Sequence, residues 1–370
     1  MALARARVRS FIDLTESNPT RAGFAYPSGL LASLTSEQGL TYEPAPLGLP
    51  AAREAVAADY GRRGVSISAG RIVITAGTSD AYSLLFKLLC DPGDCVLVPR
   101  PSYPLFEHLT RLDAVDFAPY ELDYHGTWHI NLDSMARAMT ARTRAVLLVS
   151  PNNPTGSMAR REELAAIGDL CGARGLALIG DEVFADYPLH EHVEAGPSVL
   201  SQSKPLTFGL GGLSKTIGLP QVKLSWIGVA GPDDLVHAAL DRLEVICDAY
   251  LSVSSLVQLA SARLLTEGTS VREQITVRVR ANYGHLREAL RAYPACTLLD
   301  AEAGWYAVIQ VPATVGEEAL VLDLLERCGV LVHPGYFFDF PHEAFLVVSL
   351  LPRVKDFQIG VDRLLSRLGG

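Results

Sequence analysis

From about residue 70 the chain places short, unbroken apolar runs between amphipathic stretches, and this alternation limits the folds open to it. The runs are Arg71–Thr75, Cys95–Pro99, Ala145–Ser150, Leu176–Gly180, Leu206–Gly209 and Leu224–Val229. They are continuous rather than alternating, as expected for strands covered on both faces. Around and between them lie helical patterns: Leu49–Tyr60, Ser79–Leu89 with its stripe of Leu84, Leu85, Leu88 and Leu89, then Glu162–Leu170 and Pro232–Leu243. Strand-helix alternation of this kind predicts an α/β fold with a mostly parallel, doubly wound sheet. After Ser252 the pattern changes. Two helices, Ser252–Leu265 and Val271–Ala292, precede shorter strands at Trp305–Val311, Val330–Val332 and Phe345–Leu350 and a closing helix, Asp356–Leu368. This tail reads as a smaller α+β domain. The expected organisation is an N-terminal segment (1–40) packing with the small domain, a large domain (41–275) and a small domain (276–370).

Composition narrows the function classes. With 32 basic against 41 acidic residues, the net charge of −9 argues against nucleic acid as the main partner. A mean hydropathy of +0.20 points to much buried surface and to a subunit interface. No stretch approaches the roughly 18 uninterrupted apolar residues of a membrane span. The basic N-terminus, MALARARVRSF, has no apolar region behind it and does not read as a secretory signal. Six scattered cysteines read as reduced thiols of a cytoplasmic protein rather than as metal ligands, because Cys90 and Cys95 have no second pair or nearby His.

In a doubly wound sheet, ligands bind beyond the carboxyl ends of the strands, so polar residues directly after strands are the candidates. Gly77-Thr78-Ser79 opens a helix and offers hydroxyls and free N–H groups to an anion; many ordinary turns look the same. Ser150-Pro-Asn-Asn-Pro-Thr-Gly156 is a rigid turn able to hold an Asn at a fixed angle, or only a tight connection. Asp181-Glu182 is an acid at a strand end, a place where helix caps are common. Ser214-Lys215 follows a Gly-rich bend, and most lysines are simply solvated.

Taken together, SPNNPTG, GDEV, LSK and a Pro-x-x-Lys stretch, in that order, resemble the fold-type I aminotransferase family of pyridoxal-phosphate (PLP) enzymes, in its broad aspartate/alanine/aromatic branch. The resemblance runs from about Asp13 to Leu368. It implies that Lys215 forms the Schiff base with PLP and moves the substrate proton. It further implies that Asp181 faces the pyridine nitrogen, that Asn153 donates to the ring O3′, and that Thr78, Ser79, Ser214 and Lys223 form the phosphate cup with Gly77. Tyr103, in Pro101-Ser-Tyr-Pro104, would stack on the ring. Tyr42 would reach the phosphate of a neighbouring subunit, making the protein a homodimer. Each pairing has a physical basis: an ionised carboxylate keeps the ring nitrogen protonated, and a desolvated amine gives up its proton readily.

Three departures from the family pattern bear on the reaction. Phe184 replaces a tyrosine that normally donates to O3′; its loss should raise the imine pKa, with Tyr187 a candidate replacement. Lys223 replaces an arginine, keeping charge but losing the two-pronged grip. Val347, in Phe345–Leu350, replaces the arginine that holds a substrate carboxylate. Arg21 and Arg353 are candidate substitutes, although a solvated arginine is the commoner case, and Glu16 either meets a substrate amine or caps a turn. The expected function is a PLP-dependent aminotransferase acting on an amino donor and a keto acceptor. The alternative is a PLP-dependent lyase, cyclase or decarboxylase on the same scaffold, since one carbanion serves all of them. A PLP-binding regulatory module would need a DNA-binding helix-turn-helix, for which there is no room before Asp13. A nicotinamide dehydrogenase is disfavoured because Gly209-Leu-Gly211-Gly212 lacks the third spaced glycine.

Overall fold

A computed structural model describes residues 10–190 and 196–369; most of the basic N-terminal stretch lies outside these. In its first half the chain runs β1 (Ile12–Asp13), α1 (Pro50–Arg62), β2 (Ile72–Thr75), α2 (Thr78–Leu89), β3 (Cys95–Arg100), α3 (Phe106–Leu112), β4 (Asp116–Tyr124), β5 (Trp128–Ile130), α4 (Leu132–Ala138), β6 (Thr143–Val149), α5 (Arg161–Arg174) and β7 (Ala177–Asp181). It continues through β8 (Thr207–Gly212), α6 (Leu213–Thr216), β9 (Ser225–Ala230), α7 (Asp233–Asp248), α8 (Ser255–Glu267), α9 (Thr269–Leu290), β10 (Thr297–Leu299), β11 (Tyr306–Gln310), α10 (Glu317–Asp323), β12 (Val330–Leu331), β13 (His333–Pro334), β14 (Phe345–Ser349) and α11 (Val354–Leu368).

The large sheet has eight strands in the order β2-β9-β8-β7-β6-β3-β4-β5. Its centre, from β8 to β4, is parallel. β9 and β5 run antiparallel to their neighbours. The unbroken apolar runs follow from burial on both faces. Val96, Val98, Ala145, Leu147, Ala177 and Ile179 pack with α2 and α7 on one side. The alternate residues Leu97, Val146, Leu148 and Leu178 pack with Leu164, Ile167 and Cys171 of α5 on the other.

β4 is the longest strand without a counterpart in the sequence reading, alongside the short β1, β5, β10 and β13. β4 carries an alternating, half-exposed pattern interrupted by Pro119. Pro119 is tolerated because β5 pairs only with Leu122–Tyr124, which leaves that part of β4 with a single neighbour, β3. The antiparallel setting of β9 was equally invisible, since apolar runs do not record strand direction.

The smaller sheet, β10-β11-β14-β13, is antiparallel throughout. Its core joins Ala307, Ile309, Leu346 and Val348 to the inner faces of α9 and α11. The N-terminal segment is tied to the same region: β1 pairs with β12, and Ser349 N–H donates to the Leu14 carbonyl at 2.6 Å. Among the described residues no helix is long and apolar enough to cross a membrane, and no group of three or more potential metal ligands occurs.

Candidate active site

Sheet register brings the polar strand ends together. Val149 of β6 aligns with Asp181 of β7, and Asp181 with Leu210 of β8. Gly212 of β8 and Thr75 of β2 both align with Ser225 of β9. The Gly77 turn, Ser214-Lys215, Asp181 and the Ser150–Gly156 turn therefore leave the sheet at one edge. The glycines of the bend before Ser214 serve this packing: a Cβ at Gly212 would lie 2.2 Å from Ser225 Oγ, and one at Gly211 2.5 Å from Trp226 Nε1. They allow close strand approach and do not form a nucleotide loop.

Asp181 is buried, and both of its oxygens are held. Tyr82 donates its hydroxyl to Oδ2 at 2.8 Å, and the Val183 N–H donates to Oδ1 at 3.2 Å. Burial raises the Asp181 pKa, and these donors together with Lys215 oppose the rise. Lys215 Nζ lies 4.9 Å from the Trp305 ring centre and 5.7 Å from that of Phe184. Desolvation by this aromatic wall lowers its pKa from 10.5 to about 8, with Asp181 pulling the other way.

That depression has a consequence for the protein without a ligand. A folded-state pKa below the unfolded value means that the charged amine is disfavoured on folding. The penalty is full below pH 8 and is relieved as pH rises towards 10.5. Lys215→Met should therefore be more stable than wild type to urea at pH 7, by about 2 kcal/mol; this is less than the full shift implies, because Asp181 loses a partner. The gap should close near pH 10.5. A variant no more stable than wild type at pH 7 would contradict the desolvated amine.

Asn153 is buried, 7% exposed, and its Oδ1 finds no partner in the protein. Gly77 precedes α2 in extended conformation, with Thr78 and Ser79 in the first turn. Lys223, at φ 59°, extends Nζ to 3.4 Å from where a Gly77 Cβ would stand, so a second amine reaches the start of this helix. Ser214 lies on α6 beside Lys215. Tyr103 is 37% exposed and packs edge-on against Phe106 at 6.0 Å. Tyr42 is 71% exposed, on a groove it shares with Tyr250 and Gln258.

The residues at the departures are equally informative. Phe184 turns a hydrocarbon edge to Trp305 at 5.3 Å. Tyr187 does not replace the missing hydroxyl, because it donates to the backbone carbonyls of Lys215 and Thr216. Val347 is fully buried, paired with Val308 of β11 and His333 of β13. Arg21 and Arg353 are exposed, the latter lying against Gly23. Glu16 Oε1 accepts the Asn18 N–H at 2.8 Å and so closes its own turn. Tyr82 and Trp305 were not singled out in the sequence. Tyr82 follows Thr78 by four residues, one helical turn on the same face, and that spacing was the available signal. Trp305, after Gly304, carried no signal beyond its place beside a strand.

The fold and this edge define a class: an α/β protein with a large, mostly parallel sheet and a small antiparallel one, in which a buried lysine, a buried acid and a helix start lie beyond the strand ends of the large sheet. The family described as aminotransferase class I and II matches residues 11–364, and the chain belongs to it; the family uses PLP. Among curated relatives, glutamate-pyruvate aminotransferase AlaA of Escherichia coli is 26% identical, over 97% of this chain and 90% of its own length. The alanine aminotransferase of Mycobacterium bovis is 25% identical, over 98% and 86%. The solved structure of an Escherichia coli aminotransferase superposes with a TM-score of 0.88 at 25% identity, covering 100% of this chain and 94% of that one. Alanine aminotransferase from Pyrococcus furiosus shares the fold at a TM-score of 0.89 and 23% identity, covering 99% and 94%. The protein is thus an aminotransferase acting on small amino and keto compounds.

Proposed function

We propose that this aminotransferase binds PLP at the edge formed by Lys215, Asp181, Asn153 and the start of α2. The observation that carries the reading is the pairing of a desolvated Lys215 amine with a buried carboxylate that Tyr82 and Val183 hold in place. When bound, PLP supplies an electron sink for the substrate carbon that carries the amine. Lys215 anchors the cofactor and then, freed, moves the proton at that carbon; an amine with pKa near 8 suits both directions of transfer. Asp181 holds the proton of the ring nitrogen by its charge. Asn153 serves the ring oxygen without help from Phe184 or Tyr187. Thr78, Ser79, Ser214 and Lys223 take the phosphate together with the free N–H groups of α2. Tyr103 faces the ring from its loop, and the aromatic wall of Phe184 and Trp305 keeps water from Lys215.

The same reading makes the enzyme a homodimer in which Tyr42 serves the neighbouring subunit's site. Leu40, Tyr42 and Tyr250, at 89%, 71% and 58% exposed, are apolar surface that such an interface would cover. The six free cysteines support a reducing, cytoplasmic setting.

The buried Val347, with Arg21 and Arg353 exposed, supports donors whose carboxylate needs no cation on β14. A screen of amino donors, followed by the visible absorbance of bound PLP, tests function and substrate together. An amine without an α-carboxylate should convert the cofactor to its amine form, with aspartate and glutamate at least about 100-fold slower for want of a charge-assisted grip. Fast conversion by aspartate or glutamate would show that another cation holds the carboxylate. Release of keto acid and ammonia without conversion would favour the lyase alternative.

A further inference from the structure

Tyr82, like Trp305, belongs to the cluster without having been marked by the family pattern in the sequence. It sits on α2, 2% exposed, boxed by Phe86 at 6.1 Å and by Phe106, edge-on, at 5.5 Å. A phenylalanine would fill this box equally well. A buried hydroxyl is costly unless bonded, and the bond this one makes is to Asp181 Oδ2 at 2.8 Å. Phe106 also packs against Tyr103, so the box joins the acid to the loop facing the cofactor.

We infer that Tyr82 is a positioning residue for the cofactor acid: its hydroxyl fixes the Asp181 carboxylate and keeps it ionised inside the protein. This rests on the reading that Asp181 holds the PLP ring nitrogen. The Val183 N–H holds Oδ1 and the Tyr82 hydroxyl holds Oδ2, so the two donors together fix the plane of the carboxylate. The charged and titratable groups around the pair are Lys215, which favours the ionised carboxylate, and Glu182, which opposes it; Tyr103 lies on the Tyr82 side. Without the phenol donor, the burial penalty on Asp181 meets less resistance. The carboxyl then stays protonated to higher pH and cannot hold a proton on the ring nitrogen.

The test is Tyr82→Phe, which keeps the packing, measured by PLP titration of the apoprotein across pH in wild type, Tyr82→Phe, Asp181→Asn and the double variant. Loss of a hydrogen bond to a buried charge should weaken PLP binding about 10- to 100-fold. The acid limb of the binding curve should move to higher pH, with affinity recovering on the alkaline side. In the Asp181→Asn background the same substitution should change affinity less than about twofold, because the negative charge that the phenol keeps ionised is gone. An unmoved pH curve, or an equal loss in both backgrounds, would make Tyr82 a packing residue and overturn the inference. Should Tyr82→Phe fold poorly, Tyr82→His, which retains a donor, should bind PLP more tightly than Tyr82→Leu; equal affinities would count against the role. If wild type itself binds no PLP, it is the underlying assignment of Asp181 that fails.

Discussion

Lys215→Ala is expected to lower the rate of amino-group transfer by at least about 10,000-fold while leaving the fold intact. The lysine has two tasks in the proposed reaction, anchoring the cofactor and carrying the substrate proton, and positioned proton transfer alone contributes 100- to 10,000-fold. No neighbour can take over. Lys223, the nearest candidate amine, reaches the start of α2 instead, and the wall opposite Lys215 is the carbon surface of Trp305 and Phe184. The variant should also lose the pH-dependent visible absorbance of the loaded enzyme. Single-turnover rates with a good donor, together with thermal unfolding of both proteins, check this. Retention of a tenth of the wild-type rate would remove Lys215 from the centre of the account.

Asp181→Asn should cost about 1,000-fold in the same assay, the scale of losing a preorganised charge at a water-poor site. The amide nearly matches the carboxylate in shape, so Tyr82 and Val183 can still bond it. What disappears is the negative charge that holds a proton on the ring nitrogen. Lys215 would also lose the one partner opposing its desolvation, so its own pKa should fall further and the pH optimum should shift towards acid. A variant within tenfold of wild type would mean that the ring nitrogen is served by another group.

Much of this was legible in the chain. Unbroken apolar runs marked the central strands because both sheet faces are covered, and polar residues after those runs gathered at one edge because parallel strands end together. β4 escaped because it is half-exposed and carries Pro119, and the direction of β9 because apolar runs carry no sense of direction. At the site, sequence order singled out Lys215, Asp181 and Asn153 as candidates, whereas partners set by three-dimensional packing were hidden. Tyr82 was not singled out, and its bond to Asp181 spans 99 positions. Tyr187 was suggested by its nearness to Phe184 in sequence, yet its hydroxyl turns to the backbone of α6. Of the two readings offered for Glu16, a substrate amine or a turn cap, the structure shows the turn cap. These outcomes share a cause: a polar group's role depends on which partner it reaches first, and sequence distance does not record that.

The central claim is that Lys215 anchors PLP, and the chain makes it easy to test, having only five lysines: Lys87, Lys204, Lys215, Lys223 and Lys355. Hydride reduction of the PLP-loaded protein makes the linkage permanent, and mass mapping of its peptides then locates it. The account predicts a single modified peptide, the one containing Lys215. Modification at Lys223 or any other lysine, or none at all in protein saturated with PLP, would contradict it.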